Sequence, residues 1–407
     1  MDELDVLRRM RSGLAPEESP ERLALRLDWR GDEVAKHRRR RRGPGLRAPL
    51  LSVAAAAAVA AVAVTVHAVG DDGGTAPGPG GENGTRPGNV LLAAAASAQK
   101  APAGKYWHAK TIVGDIYAVG RTAANHYRVD SRQGNEMWTD RNGKRWAAHI
   151  ELPDIPLTAA DGQKWRAAGS PTWVSIPDPE GGGGEVELDM SQTSGGRSPL
   201  PASTERFYGM TTRQIAELPT EPAALENVLL GLKDHWHAVS KDGEAPEPIR
   251  ALKGQERIRA LTDVAGTLLS TAPASPGVRA AVFRMLASQP GVKAEGRTTD
   301  PLGRTGTVVS LPLKTTTPLG LYTAPKQLGT YRRQFIVNPD TGTLLAIRDL
   351  VAEPPRGSRK LPPGDDGRPR SLKAKDMPDR FHRPGELASY QAFAVTEWTD
   401  ADPPQGP

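Results

Sequence analysis

The sequence predicts an α+β protein with one transmembrane helix, followed by a large domain built on an antiparallel sheet with packed helices. Three observations predict this class. A segment of 22 residues from Ala48 to Val69 carries no formal charge, strand-like runs are joined by short turns, and helix-like runs occupy residues 220–287. Strands joined by hairpins pair antiparallel, whereas parallel strands need long crossover connections.

Composition excludes several classes of protein. Only 38% of the 407 residues are hydrophobic, and 43 Gly and 37 Pro indicate a high loop content. The absence of cysteine excludes disulfides, thiolate zinc sites, cysteine nucleophiles and a lipid-modified cysteine. Residues 1–47 hold 13 cations and 9 anions, which leaves 40 cations and 38 anions for the rest of the chain. The nearly neutral remainder is not expected to bind nucleic acid.

The uncharged segment is the strongest signal in the sequence. Ala48 to Val69 is rich in alanine and valine, and a bilayer core is spanned by about 20 such residues. We therefore predict a transmembrane helix over 48–69. The alternatives are a buried soluble helix and a long signal peptide cleaved after Val66-His67-Ala68, but a preceding segment of 47 residues argues against cleavage.

The flanking charges predict the orientation of this helix. Cations precede it, and the first charges after it are Asp71, Asp72 and Glu82. Because cations that flank a span stay in the cytoplasm, we expect the N-terminus inside and the C-terminal domain outside the cell membrane. A nucleic-acid patch is the less favoured interpretation of the cations. The predicted topogenic residues are Lys36, Arg38, Arg39, Arg40, Arg41, Arg42 and Arg47.

Residues 1–47 form the predicted cytoplasmic tail. Leu4, Leu7 and Met10 recur at helical spacing, and Ser19-Pro20 can begin a second short helix. Two short amphipathic helices cannot bury a core. The tail is therefore expected either to orient the chain and lie near the bilayer, or to bind a cytosolic partner.

The exterior part divides into a tether and a folded domain. Residues 70–88 are rich in Gly and Pro, a composition typical of flexible linkers. The extracytoplasmic domain is predicted over 89–400, followed by a disordered C-terminus at 401–407. Within the domain, Asn89 is expected to cap a helix that ends at Gln99, and Tyr106 to Val113 is the first predicted strand.

A hairpin is predicted between Met137 and Trp146. Asn142-Gly143 would supply the two positive φ angles of a type I′ turn, so Trp138 and Trp146 would face each other across the strands. Residues 177–203 contain four consecutive glycines and are predicted to form a surface insertion.

The second half of the domain shows helical periodicity and then further hairpins. The predicted helices are 223–232, 249–269 and 276–287, the last of them lying on a sheet. The predicted hairpins pair 292–297 with 305–313 and 331–337 with 343–351, followed by a loop over 353–385 and a closing strand over 387–398.

With this order in view, the chain resembles a family of uncharacterised single-span membrane proteins of actinobacteria. The segments that carry the resemblance are Met1–Leu7, Leu218–Leu225, Arg279–Ala287, Pro290–Val292, Asp300–Arg304 and Asn338–Leu345. The exterior domain is also distantly similar to the half-barrels of LolA and RseB, on its external helix, its hairpins and a final turn at Asp340-Thr341-Gly342. That second resemblance implies a curved, half-barrel-like sheet whose concave apolar face binds an acyl chain.

No catalytic motif is found in the sequence. It lacks a nucleophile elbow, a phosphate-binding P-loop, an H-E-x-x-H motif and a dinucleotide-binding glycine fingerprint, so no enzymatic activity, metal or cofactor is expected. The rings of His235-Trp236-His237 would point to different sides of a helix, which favours a surface position over a metal site. His108, His126 and His149 are expected to be ordinary strand residues.

Tryptophans are frequent in the first group of strands. Core packing is the favoured explanation, and a ligand groove is the alternative. The residues concerned are Trp107, Trp138, Trp146, Trp165 and Trp173.

Two functions are consistent with these features. The first is a non-enzymatic, single-pass signalling or regulatory protein, whose exterior domain binds a ligand or an envelope partner and whose tail reports to a cytosolic partner. The second is a membrane-anchored carrier or scaffold for lipid or another apolar ligand. The ligand-binding residues are not predicted by the sequence.

Overall fold

A computed structural model describes residues 87–177, 185–191, 196–204, 206–234, 236, 246–315, 328–361, 370–377 and 379–404. The predicted tail, the predicted transmembrane helix and all of the predicted linker except Pro87 and Gly88 lie outside the described residues. So do the seven predicted topogenic cations.

Six α-helices lie in the described part of the chain. They are α1 Pro87–Gln99, α2 Ala159–Ala167, α3 Thr212–Ala216, α4 Pro222–Leu229, α5 Gly254–Ser270 and α6 Pro276–Ser288. Helix α6 begins as the sequence suggests, with Ser275 capping the amide of Val278 and with Pro276 in its first turn. The carboxylate of Glu221 accepts from the amides of Ala223 and Ala224 and caps α4 in the same way.

Ten strands form one large sheet, and every strand pair in it is antiparallel. The described strands are β1 Tyr106–Val119, β2 Tyr127–Asp140, β3 Lys144–Glu151, β4 Ile155–Pro156, β5 Trp173–Pro177, β6 Glu185–Asp189, β7 Arg197–Thr204, β8 Arg206–Phe207, β9 Met210–Thr211, β10 Lys233–Asp234, β11 Glu247–Pro248, β12 Lys293–Thr299, β13 Thr305–Thr315, β14 Thr330–Asn338, β15 Thr343–Glu353, β16 Ser358–Leu361, β17 Arg370–Lys373 and β18 Leu387–Thr399. The large sheet has the order β12-β13-β14-β15-β18-β1-β2-β3-β7, with β4 paired to β2. The predicted α+β class with an antiparallel sheet is confirmed.

Strand β18 joins the two halves of the sheet. It pairs with β1 on one side and with β15 on the other, although β1 is nearly 300 residues earlier in the chain. The hairpins before and after the helical segment therefore belong to one continuous sheet. Since β18 lies in the centre, the sheet is complete only when the C-terminal strand has paired.

All of the described helices except α2 contribute to the main hydrophobic core, which lies on one face of the sheet. Helix α5 packs on β13 and β15, while α1 and α6 pack on each other. Phe335 and Phe393 contribute to this core from the sheet, and Phe283 contributes from α6. The indole Nε1 of Trp107 donates to the carbonyl of Ser270 at 3.2 Å, which places Trp107 on the helical face as well.

The structure corrects the starts of two predicted helices and the predicted packing of a third. Helix α1 begins at Pro87, so Asn89 is not its cap. The segment predicted as one helix from residue 249 is a short 3-10 turn at Ile249–Ala251, followed by α5 from Gly254. Helix α6 packs mainly on α1, α4 and α5 and reaches the sheet through Arg279, whose guanidinium lies 5.1 Å from the centre of the Trp107 ring.

The β2–β3 hairpin is present, but its turn differs from the prediction. Among the non-glycine residues described, positive φ is confined to Ser170 and Tyr208, so Asn142 does not adopt the angle of a type I′ turn. The amide of Gly143 donates to the carbonyl of Asp140 at 3.1 Å, and Gly143 has φ +88°. A three-residue loop with one left-handed glycine therefore closes the hairpin. The expected pairing of Trp138 with Trp146 is confirmed.

Two predicted loops contain strands. Residues 177–203, expected as a surface insertion, include β6 and β7, and β7 extends the large sheet beyond β3. Leu188 and Met190 are buried within this segment, so it contributes to a core. The loop expected over 353–385 contains the β16–β17 hairpin. Glycine and proline content predicted loops here, but tertiary packing overrode that local preference.

Candidate functional site

The face of the sheet opposite the helices, here called the non-helical face, carries a set of linked polar side chains. Successive residues of a strand point to opposite faces, so the neighbours of Phe335 and Trp107 along each strand lie on this side. Gln334 is one of them and is buried. Buried positions that only stabilise a sheet usually hold apolar side chains. The polar side chains at such positions are therefore candidates for function.

Six residues in register form what we call the polar row. The row crosses six neighbouring strands, from β13 to β2, and each member is the direct cross-strand partner of the next. Its members are Ser310, Gln334, Arg348, Tyr390, Gly114 and Arg132. Residues as distant in the sequence as Arg132 and Tyr390, more than 250 positions apart, thus lie on one line across the sheet.

Hydrogen bonds connect the first part of the row. The Nε2 of Gln334 donates to Ser310 Oγ at 3.0 Å and to Glu295 Oε2 at 2.6 Å. The Nε of Arg348 donates to Gln334 Oε1 at 2.9 Å. Arg132 lies at the other end and donates to the carbonyl of Pro153. The side chains are therefore held in fixed orientations.

A buried carboxyl group adjoins the row. The hydroxyl of Tyr390 donates to Asp130 Oδ2 at 2.9 Å, while Asp130 Oδ1 is enclosed and has no hydrogen-bond partner in the described part of the chain. Burial raises the pKa of Asp130 to about 7, although the Tyr390 hydrogen bond and the charge of Arg132 lower it. Burial and the neighbouring Asp130 also raise the pKa of Tyr390. This carboxyl can gain or lose a proton near neutral pH.

Gly114 makes the Asp130–Tyr390 contact possible. A Cβ at this position would lie 2.3 Å from Tyr390 Cε1 and 2.4 Å from Asp130 Oδ1, much closer than atoms can approach. The tyrosine ring therefore lies directly over the backbone of β1. Only a residue without a side chain allows that approach.

A second acid and phenol pair lies elsewhere in the fold. The hydroxyl of Tyr331 donates to Asp379 Oδ2 at 2.6 Å, and burial raises the pKa of Asp379 to about 6. His382, which follows it in the same loop, is buried, and burial lowers its pKa to about 4. Both groups are therefore expected to titrate on the acidic side of neutrality.

The tryptophans do not line one groove. Trp107 lies on the helical face and is fully buried, whereas Trp138 and Trp146 lie on the non-helical face. Trp165 donates to the carbonyl of Pro171 from helix α2, and Trp173 is 56% exposed. Among the alternatives weighed from the sequence, the positions of Trp107 and Trp138 agree with core packing.

The histidines differ in their environments. His108 stacks on Trp138 with ring centres 4.0 Å apart and lies 3.0 Å from Glu136 Oε1. His149 lies on β3 as predicted, but His126 lies in the loop before β2 and not in a strand. His235 and His237 are outside the described residues.

Chemically, the site offers the terminal nitrogens of Arg348, which have no partner in the described part of the chain, and the protonatable carboxyl of Asp130. Within the described ranges, no group of three or more His, Cys, Asp or Glu side chains is arranged to hold a metal ion. An oriented guanidinium in the same row as a hydroxyl that contacts a protonatable carboxyl is an arrangement that can bind a charged group.

The residues of this site were not predicted from the sequence. Asp130 and Tyr390 are 260 positions apart and meet only because β18 pairs with β1, so no local motif marks them. The signals available were weak. They were an acid and an arginine, Asp130 and Arg132, at alternate positions, and a glycine, Gly114, directly after the predicted strand that ends at Val113.

Comparisons with known proteins give no relative. No protein-family model, curated protein or solved structure matches the chain. Among the residues that the structure describes, no helix has the length and apolar character needed to cross a membrane.

Proposed function

We propose that this chain is a single-pass membrane protein whose extracytoplasmic domain binds a ligand or an envelope partner without chemical turnover, and whose cytoplasmic tail reports that binding. The transmembrane helix over 48–69, the orientation set by the cations before it and a curved, half-barrel-like form of the sheet are parts of this proposal. They are based on the sequence and on the family resemblance.

The polar row is the observation that carries the binding role. Buried polar networks contribute little net stability compared with well-packed apolar side chains. Here a whole register across six strands is polar except for Gly114, and its hydrogen bonds fix the side chains. The guanidinium of Arg348, fixed by Gln334 and in the same row as the tyrosine that contacts Asp130, suits the recognition of a polar group.

A lipid carrier or scaffold is the second candidate function. The row of cross-strand partners next to the polar row shows whether an apolar surface is open to a lipid. Ile336, Ala346 and Ala392 pair across β14, β15 and β18 next to the polar row, and each is 0% exposed. An acyl chain could bind there only after the protein uncovers these side chains. Arg348 of the polar row is half-buried and needs no such change, which supports ligand or partner sensing over carriage of an apolar ligand.

The orientation can be tested because the chain has no cysteine. Ser12→Cys places one thiol in the predicted tail, and Ala167→Cys places one at an exposed position of helix α2. A membrane-impermeant maleimide applied to intact cells should label only Ala167→Cys, and lysis should expose both. Labelling of Ser12→Cys in intact cells would overturn the proposed orientation.

The role of the tail separates the two candidate functions. Deleting residues 1–35 while keeping Lys36 to Val69 should preserve insertion but abolish the response of a transducer, and the complete tail should crosslink to a cytosolic partner. A carrier would keep its activity after this deletion, and the absence of any crosslinked partner of the complete tail would argue against signalling.

A further inference from the structure

Arg348 lies in the middle of the polar row, between Gln334 on β14 and Tyr390 on β18. Its side chain is half-buried, and Nε donates to Gln334 Oε1 at 2.9 Å. In the described part of the chain, its terminal nitrogens Nη1 and Nη2 have no hydrogen-bond or ion-pair partner. One edge of the guanidinium is therefore fixed, while its two-pronged end is free to bind another group.

Gln334 determines the orientation of that guanidinium. Its Nε2 donates to Ser310 and Glu295, and its Oε1 accepts from Arg348, so both ends of the amide are used. The opposite amide orientation would place donor against donor at Arg348. Since Gln334 is 2% exposed, water does not compete for these contacts. Gln334 thus acts as a positioning residue for Arg348.

Among the described side chains, the charges that act on Arg348 are those of Glu295 and Arg332, which leaves one positive charge in excess. Arg332 lies on the neighbouring strand, with its Nη1 3.9 Å from Glu295 Oε1. Burial and the Arg332 charge lower the pKa of Arg348, whereas Glu295 raises it. Two guanidinium groups thus share one carboxylate. A bound anion would offset the repulsion and the cost of partly burying the unmatched charge.

We propose that Arg348 is the centre of an anion-binding site on the non-helical face, which takes a carboxylate or a phosphate group. The free end of an oriented guanidinium matches two oxygens of either group through parallel hydrogen bonds. Arg332, whose side chain is 48% exposed, provides a second cation at the solvent side. This inference rests on the proposed binding function and names the chemistry of its ligand.

The same chemistry occurs in free anions and in lipid headgroups, so the test has two arms. In the first, the full chain in zwitterionic detergent is titrated with inorganic phosphate or acetate against chloride at constant ionic strength. The melting temperature is followed by tryptophan emission. In the second, the full chain is compared in nanodiscs of phosphatidylcholine with and without phosphatidylglycerol. A ligand that binds the folded state raises the melting temperature in a saturable way.

We expect a saturable rise in at least one arm, and the arm in which it occurs identifies the source of the anion. Arg348→Met should abolish the rise. Arg348→Lys keeps the charge but not the fork, so the apparent Kd should increase about tenfold or more. Arg348→Lys keeps a cation in the row, so the proposal can still be tested if Arg348→Met does not fold.

Arg297→Met is the matched control. Arg297 is exposed on β12 and pairs with Thr307, whose partner Val337 belongs to the helical core, so it lies towards the opposite face of the sheet. The Arg297→Met substitution also removes one positive charge and should leave the anion-dependent rise in melting temperature unchanged. The proposal is overturned if the native chain responds to no anion beyond chloride in either arm, if Arg348→Met keeps the response, or if Arg297→Met loses it equally. The maleimide labelling does not depend on Arg348, so failure here leaves the proposed orientation standing.

Discussion

Replacing Asp130 with asparagine should make the domain less sensitive to pH. The substitution keeps the shape of the side chain and an oxygen that accepts from the Tyr390 hydroxyl. The new amide nitrogen would take the place of Oδ1, which has no hydrogen-bond partner in the described part of the chain. The main change is therefore the loss of a group that titrates.

The sign and size of the effect follow from the pKa of Asp130. Its ordinary value is 3.8, and burial raises it to about 7 in the folded protein. The favourable contribution of the protonated carboxyl is fully present below pH 3.8 and is lost as the pH rises to about 7, because the unfolded chain releases its proton first. About three pH units at about 1.4 kcal/mol each give an upper limit of about 4 kcal/mol.

The measurement is the difference in melting temperature between Asp130→Asn and the native chain in detergent, from pH 4 to pH 7.5. The variant should gain stability relative to the native chain by up to about 8 °C across this range, at roughly 2 °C per kcal/mol for a domain of this size. Asp379 and His382 titrate in the same window with opposite signs, but they are present in both proteins and cancel in the difference. Asp340→Asn, on an exposed turn, is the control. A difference that does not change with pH would refute the assignment.

Three further predictions test the fold and the topology. Gly114→Ala should destabilise the domain by about 1–3 kcal/mol because the new Cβ would displace Tyr390. Gly196→Ala, where the added Cβ meets no atom within 4 Å, is the control and should have little effect. Equal melting temperatures for the two variants would contradict the close contact at Gly114. Gly143→Val should cost about 1–3 kcal/mol through an unfavourable positive φ, and an unchanged melting temperature would mean that the turn is placed wrongly. Replacing Arg38–Arg42 with neutral residues should loosen or invert the orientation in the maleimide assay, and a fully retained orientation would remove these cations from the topogenic role.

The order of elements in the domain could be predicted from the sequence because its signals are local. Ser275-Pro276 starts helix α6, and the turns at 300–304 and 338–342 join strands that are neighbours in the chain. Local signals also misled: the Asn142-Gly143 pair suggested a two-residue turn, but the loop includes Arg141 and needs only one positive φ. The glycine-rich 177–203 segment hid two strands. Strand β6 pairs with its neighbour β5 and buries Leu188 in a core, and β7 pairs with the more distant β3, so tertiary packing and not composition stabilises them.

The sequence by itself determined the α+β class and the hairpins, because each depends on residues close together in the chain. The transmembrane span stays a prediction of the sequence. Only the tertiary structure decided the candidate site. Alternation along a strand shows which residues share a face, but not which face the helices will cover. The position of β18 between β15 and β1 brings Arg348, Tyr390 and Asp130 together, and it raises the pKa of Asp130 by excluding water. Contacts across 260 residues arise from packing of the whole sheet, so no local pattern in the sequence encodes them.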